Sequence, residues 1–160
     1  MKYETSRRWV IRWMYSSVVV HLIVGMLLPW VGNFSILSVY HLSVESGFWI
    51  KGAPLAARAQ QVWWMSLFGP TVQNLAILMG ALVHIGDRQR SSFAWGWLMM
   101  GIIIWAPQDM LVSLRAGVWL NVWVDCFAVV TLIPPLLWLW LNDRKYNASL
   151  RQNNVSKESS

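Results

Sequence analysis

Two aspartates lie inside apolar stretches of this sequence, where a charged side chain is unusual. Asp109 follows Pro107 and Gln108 in one apolar run, and Asp125 follows Asn121 by four residues in the next. A four-residue spacing places two side chains on the same face of a helix. Carboxyl groups in apolar surroundings either neutralise a cation within the structure, or handle a proton or bind a cationic or hydroxylated ligand. The sequence leaves both roles open.

Further polar and aromatic residues are expected at the depth of the two aspartates. Arg115 lies in the short turn between the two runs, close enough to pair with either acid, and Gln73 and Asn74 interrupt an earlier run. We expect a polar cluster with amides from three helices, walled by Trp63, Trp64, Trp105, Trp119 and Trp123. The candidate ligand-binding residues are Asp109, Asp125, Asn121, Arg115, Gln73, Asn74, Gln108, Trp105 and Trp123.

Four apolar runs must hold these residues in place. They cover about 13–32, 62–86, 93–114 and 116–141, and each reaches the roughly 20 residues that a helix needs to cross a bilayer. A segment in lipid must satisfy its own backbone hydrogen bonds, which favours helices. We therefore predict an all-α fold, an integral membrane four-helix bundle over 1–141, followed by a polar, disordered tail over 142–160.

The composition also favours a membrane protein. Hydrophobic residues make up 56% of the 160 residues and charged residues 12%, whereas soluble proteins have about 45–50% and about 25%. The thirteen tryptophans lie mostly near the ends of the apolar runs, where their amphipathic rings suit the edge of a bilayer.

The lysines and arginines predict the orientation. Ten of them precede the first run, lie between the second and third runs, or follow the fourth, whereas Lys51, Arg58 and Arg115 lie on the other side. Because basic residues are retained in the cytoplasm, we predict that both termini are cytoplasmic. The predicted location is a multi-pass position in a bacterial inner (plasma) membrane. The outer loop is predicted to contain a short interfacial helix that begins behind Pro54.

Several function classes find no support in the sequence. No soluble segment is long enough to form a nucleic-acid surface, and the single cysteine, Cys126, excludes an internal disulfide. The chain has no phosphate-binding glycine loop, no HExxH motif and no G-x-S-x-G elbow. His41 and Glu45 lie four residues apart, but two ligands are fewer than a metal site needs. We therefore predict no cofactor, no metal and no nucleic-acid partner.

The leading interpretation is a non-enzymatic, small polytopic membrane protein. Its outward-facing intramembrane polar cluster is expected to bind a small or lipid-like ligand, or a partner membrane protein. Membrane lipids are the expected partners, and a larger membrane complex or a homo-oligomer remains open.

Two other functions compete with this interpretation. An isomerase- or transferase-like intramembrane enzyme on a lipophilic substrate would use Asp109 or Asp125 as general acid or base, with tryptophans stabilising a cationic intermediate. In architecture alone, a compact four-helix bundle with intramembrane acids and tryptophans resembles the sterol-isomerase and sigma-2-receptor group of membrane proteins, and no motif residue carries over. The second alternative is an oligomeric proton- or ion-coupled transporter.

Overall fold

The computed structural model describes residues 2–50 and 52–158, and this part of the chain is helical, with no β-strand. Helix α1 covers Lys2–Val31, and the short helix α2 covers Ser38–Phe48 after a 3₁₀ turn at Ser35–Leu37. The three remaining helices are α3 (Leu55–Gln89), α4 (Ser92–Arg115) and α5 (Trp119–Glu158). The predicted all-α fold is confirmed.

Four of these helices, α1, α3, α4 and α5, are long and apolar enough to cross a membrane. Few of their side chains are buried inside the protein, and large apolar residues such as Val20, Ile23 and Phe127 are exposed. Water does not tolerate apolar surface on this scale, whereas lipid does. The chain therefore has the architecture of a multi-pass membrane protein, as the sequence predicts.

The four long helices associate as two antiparallel pairs. Helix α1 packs mainly on α3, and α4 packs mainly on α5; the pairs meet chiefly where α3 touches α4, and α1 has few contacts with α5. We call the end that holds the N-terminus of α1 and the α3–α4 turn the terminal end. The opposite end, which carries α2 and the α4–α5 turn, is the α2 end. The bundle is thus two helix pairs joined side by side.

Glycines allow α1 and α3 to cross closely. A Cβ on Gly25 would lie 2.8 Å from the carbonyl oxygen of Gly69, and a Cβ on Gly69 would lie 2.8 Å from that of Gly25. Both distances are shorter than van der Waals contact, so a larger residue at either position would push the helices apart. Small residues at a crossing are the usual means of packing helices in lipid.

Prolines inside the helices leave free carbonyls, and side chains from other helices bind them. A helical proline has no N–H for the carbonyl four residues earlier. Pro29 thereby frees the oxygen of the crossing glycine in α1, and Gln73 Nε2 donates to that oxygen at 3.1 Å. Pro135 frees the Thr131 oxygen, and Trp13 Nε1 donates to it at 3.1 Å. These bonds tie α3 to α1 and α1 to α5, because an unpaired carbonyl in lipid is unfavourable.

The apolar core lies toward the terminal end. Met14, Val83, Trp95 and Leu136, one from each long helix, are almost completely buried there. Gly86 leaves room for the Trp95 ring, because a Cβ at this glycine would lie 2.5 Å from the ring. The two helix pairs are therefore held together mainly at the terminal end.

The loop between α1 and α3 has its own short helix, α2. Residues 55–61, within the stretch predicted as a short helix before the second span, form the first turns of α3 itself, because no glycine or proline follows Leu55 until Gly69. Pro54 immediately precedes α3, a position that suits proline because it needs no N–H donor. Lys51, which contributes to the predicted orientation, lies outside the described residues.

Helix α5 runs past the predicted end of the membrane domain at residue 141. It continues to Glu158, through most of the stretch predicted as a disordered tail, and residues 159–160 lie outside the described part. Asn147 Nδ2 donates to the Arg90 carbonyl at 3.0 Å, and the Arg90 guanidinium lies over the Tyr146 ring at 4.4 Å. These contacts with the α3–α4 turn stabilise a helix that its polar composition alone does not predict.

Candidate functional site

A tight turn brings the polar faces of α4 and α5 together. Helix α4 ends at Arg115, Gly117 has a φ of +72°, and α5 begins at Trp119. The Val118 N–H donates to the Ser113 carbonyl at 2.9 Å, which satisfies one of the free carbonyls at the end of α4. A positive φ favours glycine. Gly117 therefore permits the short connection that sets the two helices side by side.

Three polar side chains are hydrogen-bonded across this hairpin. Asn121 Nδ2 donates to Asp109 Oδ1 at 3.1 Å and to Ser113 Oγ at 2.8 Å. Asp109 and Ser113 share a face of α4 because they are four residues apart. The structure thus brings together Asp109 and Asn121, two of the predicted site residues, and adds Ser113, which the sequence analysis did not single out.

Asp125 lies one turn further along α5 and has a different environment. The residue is 2% exposed, and its Oδ2 atom is buried without a hydrogen-bond partner among the described residues. It interacts electrostatically with Asp109, so two acidic groups lie near each other. A buried polar atom that lacks a partner costs about 1–3 kcal/mol, and more if charged. We call Asp109, Ser113, Asn121 and Asp125 the α4–α5 cluster.

Helix α2 brings Tyr40 close to this cluster. Burial raises the pKa of the Tyr40 hydroxyl above its usual range, and the carboxyl groups of Asp109 and Asp125 raise this pKa further. Electrostatic interactions of this kind weaken with distance, so the phenol lies near both acids. Near the C-terminal end of α2, Gly47 lies directly against the backbone of Ala116, where a Cβ would collide. Helix α2 therefore lies against the α4–α5 hairpin.

His41 attaches α2 to both helices of the other pair. Its Nε2 atom lies 2.7 Å from the Gly32 carbonyl oxygen just beyond α1, and its Nδ1 atom lies 2.9 Å from Gln61 Nε2 on α3. A carbonyl only accepts, so Nε2 donates to it and Nδ1 accepts from the Gln61 amide. The ring is 2% exposed, and both of its nitrogens are used in these contacts.

Glu45 and Arg58 make a second attachment of α2 to α3. The Arg58 guanidinium donates to the Glu45 carboxylate, which is itself buried. This hydrogen bond holds the pKa of Glu45 below its usual value. His41 and Glu45 thus share a face of one helix, and each binds α3. Within the described part of the chain, no three His, Cys, Asp or Glu side chains gather as a metal site.

Four other predicted site residues do not join the cluster. Arg115 is exposed and, among the residues described, forms no ion pair with either aspartate, because its side chain extends from the end of the hairpin. Gln73 binds the Gly25 carbonyl in the other helix pair. Asn74 is exposed. Gln108 is exposed as well, and its Nε2 donates to the Ile104 carbonyl of its own helix at 2.6 Å.

The predicted tryptophan wall is also absent from the described structure. Trp105 is 45% exposed and Trp123 is 68% exposed, so neither is closed in around the α4–α5 cluster. Trp63, Trp64 and Trp119 are likewise more than half exposed. Their indoles point away from the protein, where the apolar ring suits lipid and the N–H suits the membrane surface.

A second polar network, which the sequence analysis missed, lies at the terminal end. Arg7 Nε and Nη2 donate to the two carboxylate oxygens of Asp143, each at 3.2 Å, and Arg7 Nη1 donates to Asp87 Oδ1 at 3.2 Å. Trp95 Nε1 donates to Asp143 Oδ2 at 2.9 Å. Asp143 is completely buried and Arg7 is 6% exposed. This network joins all four long helices, because each supplies one of these residues.

A signal for this network was present in the sequence. Arg7 precedes the first apolar run, whereas Asp87 and Asp143 follow the second and fourth runs closely, so the three charges lie at the same end of the bundle. Because the sequence predicts a disordered tail over 142–160, it does not predict that Asp143 meets Arg7 and Asp87.

Comparison with known proteins identifies no relative of this chain. No protein-family model, no curated protein and no solved structure matches the chain.

Proposed function

We propose that this chain is a small multi-pass membrane protein whose α4–α5 cluster binds a small or lipid-like ligand through a cationic or hydrogen-bond-donating group. The observation that carries this proposal is the buried Asp125 Oδ2 atom, which has no donor in the described structure. The Asn121 amide is already shared between Asp109 and Ser113. A donor from outside the chain would satisfy Asp125, since a buried polar group is stable only when it is paired.

The position of Arg115 supports a ligand over an internal ion pair. Its guanidinium is the nearest basic group in the sequence to both aspartates, yet it is exposed at the hairpin end. At the terminal end, by contrast, Arg7 is buried and forms ion pairs with Asp143 and Asp87. Within the described residues, a closed ion-pair network thus forms at the terminal end, whereas Asp109 and Asp125 form no ion pair.

We further propose that both termini are cytoplasmic and that the protein resides in a bacterial inner membrane. By position in the sequence, ten lysines and arginines flank the spans on the side of the terminal end, against Lys51, Arg58 and Arg115 on the other side. The positive-inside rule then puts the terminal end in the cytoplasm. In this orientation the α4–α5 cluster lies in the outer half of the membrane, next to α2.

Binding by the purified full chain in detergent tests the proposal. Three fluorescent probes share one alkyl chain and differ in their head groups: ammonium, hydroxyl or carboxylate. The ammonium and hydroxyl probes are expected to bind, and the carboxylate probe is not, because the site offers acceptors and negative charge. Asp125→Asn is expected to weaken binding of the ammonium probe by about tenfold or more. This is the loss of affinity expected when one hydrogen bond to a charged group is removed.

Arg115→Gln is the matched control, because Arg115 is a nearby exposed residue that does not join the cluster. This variant is expected to bind all three probes like the wild type. Equal binding of the three head groups would show only partition into the detergent micelle and would overturn the proposal. Unchanged ammonium binding in Asp125→Asn would overturn it as well.

A further inference from the structure

We propose a second binding site at the terminal end, in which Arg12, Trp9 and Ser16 bind the phosphate of an anionic phospholipid. The acyl chains would lie in two shallow apolar grooves, one between α1 and α5 and one along α1. This site is at the opposite end of the molecule from the α4–α5 cluster, and it does not rest on the function proposed for that cluster.

Three hydrogen-bond donors line up on one face of α1. Trp9, Arg12 and Ser16 follow each other at three- and four-residue spacings, which places them side by side on a helix. All three are exposed, and none has a hydrogen-bond partner within the described residues. The Arg12 guanidinium lies over the Trp9 ring at 5.3 Å, which holds it beside the indole. An indole N–H, a guanidinium and a hydroxyl together suit a phosphate.

Within the described residues, no acidic side chain neutralises the charge of Arg12. Arg7 pairs with two aspartates and Arg90 pairs with Glu4, whereas Arg12 has no acidic partner in the described part of the chain. Arg12 also immediately precedes the apolar run that begins at Trp13. A long basic side chain at this position reaches the head-group level of the bilayer while its stem stays in apolar surroundings. Its natural counter-ion there is an anionic lipid head group.

Two grooves meet at these donors. One has a volume of about 380 Å³ and is lined by Trp9, Val10, Arg12, Trp13, Ser16 and Pro135. The other has a volume of about 550 Å³ and is lined by Arg12, Tyr15, Ser16, Val19 and Val20. Both contain Arg12 and Ser16 and are otherwise mostly apolar. This arrangement fits a lipid with one phosphate and two acyl chains. A free phosphate ion has no acyl chains to occupy the grooves.

The first groove is a fixed part of the fold. Pro135 leaves the Thr131 carbonyl without its helical donor, and the Trp13 indole donates to that carbonyl. This bond holds α1 against α5 where α5 carries its proline pair. The groove therefore lies between two helices that are bonded to each other.

Lipid titration of the full-length protein in detergent, read by native mass spectrometry, tests the site. The probes are phosphatidylglycerol and phosphatidylcholine with the same acyl chains. The wild type is expected to retain phosphatidylglycerol about fivefold more tightly, the effect of one basic residue near an anionic head group. Arg12→Gln is expected to abolish this preference. Arg144→Gln is the matched control, since Arg144 also lies over a tryptophan ring (Trp140, 5.2 Å) but lines neither groove.

A second variant separates a built site from general surface charge. Ser16→Phe fills both grooves and leaves Arg12 in place, and it is expected to lose phosphatidylglycerol retention. Inorganic phosphate is expected not to displace the lipid. Equal losses in Arg12→Gln and Arg144→Gln, wild-type retention in Ser16→Phe, or full displacement by inorganic phosphate would each overturn the proposal.

Discussion

At the scale of single residues, two buried aspartates on α5 show opposite chemistry. Asp143 accepts hydrogen bonds from Arg7 and Trp95, so its burial is compensated. Asp125 is buried almost as deeply, but its Oδ2 atom has no donor in the described structure. A paired buried acid holds a fold together, whereas an unpaired one costs stability and is kept for another reason. This contrast is the basis for assigning a structural role to one residue and a ligand-binding role to the other.

Replacing Asp143 tests whether this residue stabilises the fold. Asp143→Asn is expected to lower the free energy of unfolding by about 3 kcal/mol, because it leaves the buried Arg7 guanidinium without its main counter-ion. Thermal unfolding in detergent, followed by circular dichroism, measures this loss. Asp87→Asn is the control. It is expected to lower the free energy of unfolding by less than Asp143→Asn does, since the Asp87 side chain is 31% exposed. Equal stability of Asp143→Asn and the wild type would contradict the structural role.

At the scale of the elements, a close helix crossing and a tight turn position the site. The glycine crossing, with the Gly25 carbonyl that Pro29 frees, sets α1 against α3, and the Gly117 turn sets α4 against α5. Helix α2 then spans the α2 end, fixed to α3 through His41 and Glu45 and lying against the hairpin near Ala116. The α4–α5 cluster is therefore built by one helix pair, and α2, which is fixed to the other pair, lies beside it.

The close crossing of α1 and α3 predicts an asymmetry between two glycines. Gly25→Ala is expected to destabilise the protein by about 1–3 kcal/mol, because its Cβ would lie 2.7 Å from the Gln73 backbone nitrogen. Gly101→Ala is the matched control, since no atom lies within 4 Å of a Cβ there. That control is expected to be neutral or stabilising by up to about 1 kcal/mol, because alanine favours a helix. Thermal unfolding of both variants provides the comparison, and equal effects would contradict the crossing.

The attachment of α2 is expected to depend on pH through Glu45. Arg58 holds the pKa of Glu45 below its usual value of 4.5. A lowered pKa means that the ion pair stabilises the attached helix above about pH 4.5 and that this contribution is lost as the pH falls through the lowered pKa. Hydrogen exchange of α2, corrected for its intrinsic pH dependence, is expected to be slow at pH 7 and faster at pH 3. In Glu45→Gln the increase in exchange between pH 7 and pH 3 is expected to be smaller than in the wild type, because the ion pair with Arg58 is absent. An increase as large as that of the wild type would contradict the assignment.

At the scale of the whole molecule, the sequence predicts the helices better than their arrangement. Run length and composition predict the four long apolar helices, because each span satisfies its own backbone. They do not predict which helices pair, since pairing depends on close contacts such as Gly25 with Gly69. Asp109 and Asn121 are found together because a short turn leaves little freedom to the helices that carry them. Gln73 lies apart from the α4–α5 cluster because its partner is a carbonyl that a proline frees in another helix.

The proposed orientation of the whole protein has its own test. A reporter enzyme that is active only outside the cytoplasm is expected to be inactive when fused after Leu150 and active when inserted at Gly52 in the loop before α3. The excess of basic residues at the terminal end is the physical reason. Activity after Leu150 would reverse the orientation and place the α4–α5 cluster in the cytoplasmic half of the membrane.

The most direct test of the ligand-binding account is the stability of Asp125→Asn without ligand, measured by thermal unfolding beside Asp143→Asn. The amide has the shape of the carboxylate without its charge, so we expect the unfolding temperature of Asp125→Asn to equal or exceed that of the wild type, while binding of the ammonium probe is lost. A fall in unfolding temperature as large as that of Asp143→Asn, with probe binding retained, would show that Asp125 is structural and would contradict the account.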